Sequence, residues 1–158
     1  MEILRQLTKF TKSTKDKLQI YKIYICSVVE QSAVVWNSSL TKYNERELER
    51  VQKVAVKLIS KKDIPYKEKL IELGLPSLKE RRNQLSVNFA KKCIKHERTK
   101  SMFKKNIKIH RMKLRRKEKF MIKMSRTERL KKSAIEHMKR QLNKEHEDNR
   151  KSILKLAM

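Results

Sequence analysis

The residues best suited to chemistry are cations that recur in register. Arg46, Arg50, Lys53 and Lys57 follow one another at three- and four-residue intervals, which lines them up in one row if the segment is helical. Such a row can lie along a phosphate backbone, or it can be a solvated face partly paired with Glu45 and Glu49. A second concentration runs from Lys104 to Lys132, with 14 basic and 2 acidic residues. Its candidate phosphate contacts are Lys113, Arg115, Arg116, Lys117, Lys119, Arg126, Arg129, Lys131 and Lys132. Contacts of that kind give affinity without sequence choice, and a run of this type also suits a nuclear-import signal. Phe103 and Phe120 flank the run and have two possible uses, stacking on bases or packing on helices.

The remaining reactive side chains do not assemble. Cys93 and His96 lie one helical turn apart and His110 follows, but no second Cys or His pair completes a tetrahedral set. Cys93 also falls on the apolar side of its segment, where a small hydrophobe is wanted. His137 and His146 have no nucleophile or fixed carboxylate beside them. Asp16, Asp63 and Asp148 are isolated on different segments. No metal, cofactor or small-molecule substrate is expected.

Composition narrows the scaffold. The 158 residues include 43 Lys plus Arg and 17 Asp plus Glu, a net charge of +26, with one Gly and two Pro. So few turn residues leave little for tight hairpins or glycine-rich phosphate loops, which argues against an all-β sandwich or a nucleotide-binding α/β fold. A charge of +26 opposes compaction unless an anion neutralises it. Nucleic acid is the expected partner, with an anionic membrane surface the weaker match. The most apolar stretch, Ile20 to Trp36, is interrupted by Lys22, Glu30 and Gln31 and is too short to span a bilayer. Met1 to Lys15 has no apolar core of the kind a secretory signal needs. Two cysteines, Cys26 and Cys93, provide no disulfide framework. An intracellular protein, cytoplasmic or nuclear, is therefore expected. Residues 100–158 carry 21 basic and 6 acidic side chains against 22 and 11 in residues 1–99, so the compact part should be N-terminal.

Helical periodicity dominates the chain. Ile3, Leu4 and Leu7 suggest a short first helix, and Ser13 with Asp16 reads as a capping box for the next. From Leu18 to Val35 the apolar residues surround the helix axis, the pattern of a central helix. Thr41 is a suitable N-cap for a third helix to about Ser60, with Leu48, Val51, Ala55 and Leu58 as its buried face. Pro65 suits a first helical turn and Gly74 a helix end. Ser77 with Glu80 is a second capping box, opening a helix to about Arg98 with Leu78, Leu85, Phe89 and Cys93 on one side and Val87, Ala90 and Ile94 widening it. After Lys100 the pattern weakens to a short ribbon or extended chain. Helical spacing returns from Thr127 with Leu130, Ala134, Met138 and Leu142. That stripe is either core or a helix-in-groove contact, and the polar end from Glu145 is expected to fray.

These readings predict an all-α helical bundle of about five or six helices with a basic, partly irregular C-terminal arm. The run from Tyr21 to Ile59 (with Glu30–Gln31, Val35–Trp36 and Leu48–Glu49–Arg50–Val51–Gln52), followed by Leu73–Gly74–Leu75–Pro76–Ser77–Leu78 and Glu80–Arg81–Arg82, resembles the region after the palm in reverse transcriptases of non-LTR (LINE-type, jockey-like) retrotransposons. Phe89–Ala90–Lys91–Lys92–Cys93 continues the likeness, as do His110, Met112, Arg115, Glu118, Phe120, Thr127, Arg129, Ser133–Ala134–Ile135 and Leu142–Asn143. The chain departs from that pattern at Glu136, where a proline is usual, and near Lys9–Thr14, where a small turn residue is usual. The resemblance implies a thumb-like three-helix region over 1–60, connecting helices over 61–99 and a basic C-terminal extension over 100–158. It implies binding of template RNA or an RNA–DNA hybrid, and packing against a palm domain. Polymerisation needs acidic residues that hold two metal ions, and in that family they belong to the palm, so a non-catalytic role is expected. The alternatives are a protein–protein module that packs on a palm or self-associates, and a translated element remnant without selected function.

Overall fold

The computed structural model describes residues 2–11, 13–60, 62–106 and 119–156. The fold is all-α: α1 (Glu2–Phe10), α2 (Thr14–Ile20), a π-helical turn (Tyr21–Cys26), α3 (Ser27–Glu30), α4 (Ala33–Trp36), a 3-10 turn (Asn37–Ser39), α5 (Lys42–Ile59), α6 (Tyr66–Glu72), α7 (Leu78–Lys95), α8 (Glu97–Lys100), α9 (Glu128–Lys131) and α10 (Ala134–Leu156). The chain forms two compact units, one of Met1–Ala33 with Leu40–Arg82 and the other of Val34–Ser39 with Asn83–Met158.

In the first unit the core is Tyr21, Cys26, Ala55, Val56, Ile59, Leu70 and Leu75. The stretch expected as one central helix is instead broken. Tyr21 and Cys26, the ends of the π-turn, are both buried, because i→i+5 bonding brings residues five apart onto one side. Ser32 takes a positive φ of 53° in the turn before α4. Ile23, Tyr24 and Val28 remain exposed, so this stretch is covered on one side and not all round.

Ser13 occupies the N-cap of α2, yet its side chain makes no capping bond; only its carbonyl is engaged, by Lys17 N–H at 3.2 Å. Thr41 caps α5 as expected, accepting from Asn44 N–H at 3.2 Å. The buried ridge of α5 is Gln52, Ala55, Val56 and Ile59, while Leu48, Val51 and Leu58 are half-buried. The helix is rotated toward Gln52 relative to the apolar reading because that side chain has partners deep in the unit. Gln52 Oε1 accepts from Leu78 N–H (3.0 Å) and Tyr66 Oη (2.9 Å), and its Nε2 donates to the Pro76 carbonyl (2.9 Å).

Those bonds fix the start of α7. Lys79 N–H donates to Glu49 Oε1 at 2.8 Å, and Ser77 and Glu80 exchange the two bonds of the capping box at 3.1 and 3.2 Å. The N–H groups a helix start leaves unpaired are thus all engaged. The preceding turn is a Schellman motif: Leu75 N–H donates to Leu70 O (2.9 Å) and Gly74 N–H to Ile71 O (3.1 Å), with Gly74 at φ 59°. Arg82 is 0% exposed. Burial lowers the pKa of its guanidinium, opposed by the carboxylates of Glu49, Glu45 and Glu30. The buried row of α7 therefore runs through Leu78, Arg82, Ser86 and Ala90 rather than Leu85 and Phe89, the latter being exposed.

The second unit packs Val87, Ala90, Phe103, Phe120, Met138 and Leu142. Most of the stretch read as a short ribbon or extended chain, 107–118, lies outside the described residues; at its edges Lys105 and Phe120 form an antiparallel bridge, with Asn106 N–H donating to Lys119 O (3.1 Å) and Met121 N–H to Lys104 O (3.0 Å). Asn143 on α10 clamps the Phe120 backbone from both sides, accepting from its N–H at 2.9 Å and donating to its carbonyl at 3.0 Å. Ser133 caps α10, accepting from Glu136 N–H at 3.4 Å. The Glu136 carboxylate, 5% exposed, also accepts from Lys123 N–H (3.1 Å) and Lys139 Nζ (2.8 Å), and Lys139 is itself 4% exposed. The helix continues to Leu156, well past the expected fraying point at Glu145. Leu130 lies on the separate α9 and is half exposed, so the stripe is carried by Ala134, Met138 and Leu142 alone.

Two predictions follow from these polar contacts. Gln52→Leu keeps the volume but strands the Leu78 N–H and the Pro76 carbonyl, and should cost about 2–4 kcal/mol in urea unfolding; a cost within error of zero would refute its anchoring role. Glu136→Ala or Lys139→Ala should each cost about 3–5 kcal/mol, because one buried charge loses its partner. Glu136→Leu with Lys139→Met should cost far less than the two single losses summed, and simple additivity would show that the pair is not coupled.

Candidate nucleic-acid interface

The α5 row is exposed along its length: Arg46, Arg50, Lys53 and Lys57 all face solvent. They are not equally available. Arg50 Nη1 lies 3.7 Å from Glu47, a contact between exposed groups that is weak and salt-sensitive. Lys53 Nζ sits 5.5 Å from the centre of the Tyr66 ring, a cation–π geometry. Tyr66 is held in place by Gln52 and, at 3.5 Å, by Glu49. Glu45 and Glu49, adjacent to this row in sequence, turn instead to α7. Glu45 pairs with Lys79 Nζ at 3.0 Å and Glu49 caps the Lys79 N–H.

In the second unit Lys119, Arg126, Arg129, Lys131 and Lys132 are exposed. Lys119 Nζ lies 5.9 Å from the centre of the Phe120 ring. Arg129 and Lys132 share a groove with Thr127, Leu130 and the first residues of α10. Lys131 pairs with Glu128 at 2.7 Å, which holds the Glu128 carboxyl below its usual pKa, and its carbonyl accepts from Arg140 Nη1 at 2.8 Å. Lys113, Arg115, Arg116 and Lys117 lie outside the described residues. The α5 row belongs to one unit and the Lys119–Lys132 cations to the other.

Phe103 and Phe120 are both buried and meet edge to face, with ring centres 6.4 Å apart and planes at 86°. They are core residues, and base stacking on them is set aside. Cys26 is buried, and burial raises its thiol pKa, which leaves little reactive thiolate. Among the described residues no three His, Cys, Asp or Glu side chains gather as a metal-ligand set, and no helix is long and apolar enough to cross a membrane.

Several residues organise these surfaces through contacts that the sequence reading did not assign to them. Gln52 had a signal, since it lies among the apolar helical positions Leu48, Val51, Ala55 and Val56. Glu136 had one too: Ser133 and Glu136 have the S-x-x-E spacing of a capping box. Asn143 had none, because an amide that pairs with a backbone 23 residues away leaves no local pattern.

His137 is half-buried beside Asn37, at 3.4 Å, and Asn37 also donates to Asn83 Oδ1 at 3.1 Å. Burial first, then repulsion by Arg140, pushes the imidazole below its ordinary pKa. The folded state therefore binds this proton more weakly than the unfolded chain does. Stability present above about pH 6.5 should fall as the pH drops through that value toward the folded pKa. His137→Gln, which keeps a neutral acceptor for Asn37, should flatten that part of the profile of unfolding midpoint against pH; an unchanged slope would remove His137 as its source.

No family model matches the chain, and neither a curated protein nor a solved structure matches it.

Proposed function

We propose that this chain is a non-catalytic nucleic-acid-binding module, equivalent to the thumb and C-terminal extension of a non-LTR retrotransposon reverse transcriptase, that holds the backbone of template RNA or an RNA–DNA hybrid. The observation that carries the reading is the allocation of charge. Several carboxylates are taken up by cations outside the candidate rows: Glu30 with Arg81, Glu45 with Lys79, Glu136 with Lys139, and Glu145 with Lys91 at 2.6 Å. The candidate cations of α5 and of residues 119–132 stay on the surface. With 43 basic against 17 acidic side chains, a net charge of +26, the protein offers phosphates a strongly positive field. The resemblance in sequence supplies the polymerase context and the palm as a partner, while the charge supplies the chemistry.

A second reading has its own observation. Ile23, Tyr24 and Val28 are exposed in one helical stretch, Val28 at 71%, as expected of a surface that packs on another protein. Self-association of the pure chain in sedimentation experiments, unaffected by added RNA, would favour this reading over the first.

The leading reading is tested by titrating duplex into the protein at several salt concentrations. If about six phosphates are neutralised, log K should fall with log salt at a slope near −5. Arg46→Ala and Lys57→Ala should each lower the magnitude of the slope by about one. Binding indifferent to salt would refute the proposal.

A further inference from the structure

One cleft in the second unit has a composition that electrostatics alone does not explain. It measures about 620 Å³ and is lined by Met102, Met121, Leu130 and Ile135 together with Ser101, Ser133, Lys104, Lys123, Glu136 and Lys139. That volume is in the range of sites that enclose a small organic group. Its wall is mainly apolar, and its acid is internally neutralised: both Glu136 oxygens are engaged, by Lys139 Nζ and the Lys123 N–H. The outward field of the cleft comes from the exposed Lys104 and Lys123 and from the N-terminus of the 23-residue α10, which opens at Ser133–Ala134. An apolar slot with cations at its edge suits a ligand with a ring and an anionic group attached to it. A plain apolar side chain would have no use for the lysines, and a bare phosphate none for the methionines.

We infer that this cleft seats one unstacked base of single-stranded nucleic acid, with the adjoining phosphates at Lys104 and Lys123. The inference rests on the backbone-binding reading and adds to it a preference for single strands, since a base inside a duplex cannot enter a slot without leaving its stack. Methionine suits the wall: its thioether is polarizable, favours contact with aromatic rings and adapts to different ring shapes. Selection among bases is therefore weak. Ser101 and Ser133 are the hydroxyls available to a base edge, and neither is tied to one donor–acceptor pattern.

The test compares two fluorescent oligomers of about a dozen units with equal charge, one of deoxyadenylate and one abasic, in anisotropy titrations with the full chain. The adenylate oligomer should bind about tenfold more tightly than the abasic one. Met102→Gln, at a half-exposed position, and Met121→Gln should each reduce that advantage while leaving abasic binding, its salt slope and the circular dichroism spectrum unchanged. Equal affinity of the wild-type chain for both oligomers would overturn the base seat and leave backbone binding standing. An advantage that survives both substitutions would overturn it as well, by placing the base elsewhere. If neither oligomer binds in a salt-dependent way, the backbone reading fails and the base seat fails with it.

Discussion

The start of α7 is the constraint on which the first unit depends. A helix leaves its first N–H groups without intrahelical acceptors, and where they are buried an acceptor must be provided. Here Ser77 and Glu80 serve one another, while Leu78 and Lys79 are served by Gln52 and Glu49 on α5. Local capping alone would fix the helix start but not its place in the unit. The two bonds from α5 do both. Because Gln52 also holds the Pro76 carbonyl and Tyr66, one side chain sets the turn between α6 and α7, the packing of α6 and the rotation of α5. Placing Gln52 inside puts the opposite face of α5, with Arg46, Arg50, Lys53 and Lys57, into solvent.

The second unit solves an equivalent problem with a different set of polar groups. Residues 104–106 and 119–125 lack the repeated hydrogen bonds of a sheet, so their backbone is held by side chains of α10. Asn143 pairs with Phe120 on both edges, and Glu136 takes the Lys123 N–H. These anchors hold Phe120 against Phe103 in the core and Met121 at the wall of the cleft. The arrangement also accounts for Glu136 at a position where the resembling family usually carries proline. Proline there would suit a first helical turn, whereas the glutamate carboxylate takes the Lys123 N–H and ties α10 to the preceding chain.

How far the sequence foretold this depends on the range of each interaction. Contacts within a few residues were legible: the Ser77–Glu80 box, the Thr41 cap and the helix end at Gly74 all occur as spacing and residue type suggest. The all-α class was legible for the same reason. Readings that treated hydrophobicity as the sole guide to burial failed in a consistent way. Phe89, Ile23, Tyr24 and Val28 are outside while Gln52, Arg82, Ser86, Glu136 and Lys139 are inside. A buried polar side chain is tolerated only where its partners lie, and most of these partners come from other elements. The Ser13–Asp16 spacing shows the converse, since a local pattern without side-chain engagement makes no cap. Of the candidate site, exposure could be anticipated for every described cation, but the diversion of Glu45 and Glu49 away from the α5 row could not, because it requires α7.

That diversion bears on how the resemblance relates to function. Leu48–Gln52, Leu73–Leu78 and Glu80–Arg82 are separate in sequence, yet in the folded unit Glu49 and Gln52 bond the residues after Pro76, Glu30 pairs with Arg81, and Arg82 is buried within reach of the fields of Glu49, Glu45 and Glu30. Phe120 and Asn143 are likewise joined. The pieces that carry the resemblance thus have a shared physical reason to occur together: they build the scaffold. Scaffold residues of this kind fix a fold without specifying a ligand. In the proposed reading the surface cations carry the binding chemistry, and they can vary singly because phosphate contacts need charge more than geometry. Any selectivity beyond charge must come from a shaped site, and the half-open, methionine-walled cleft against α10 has the mixed lining that the proposed base seat requires.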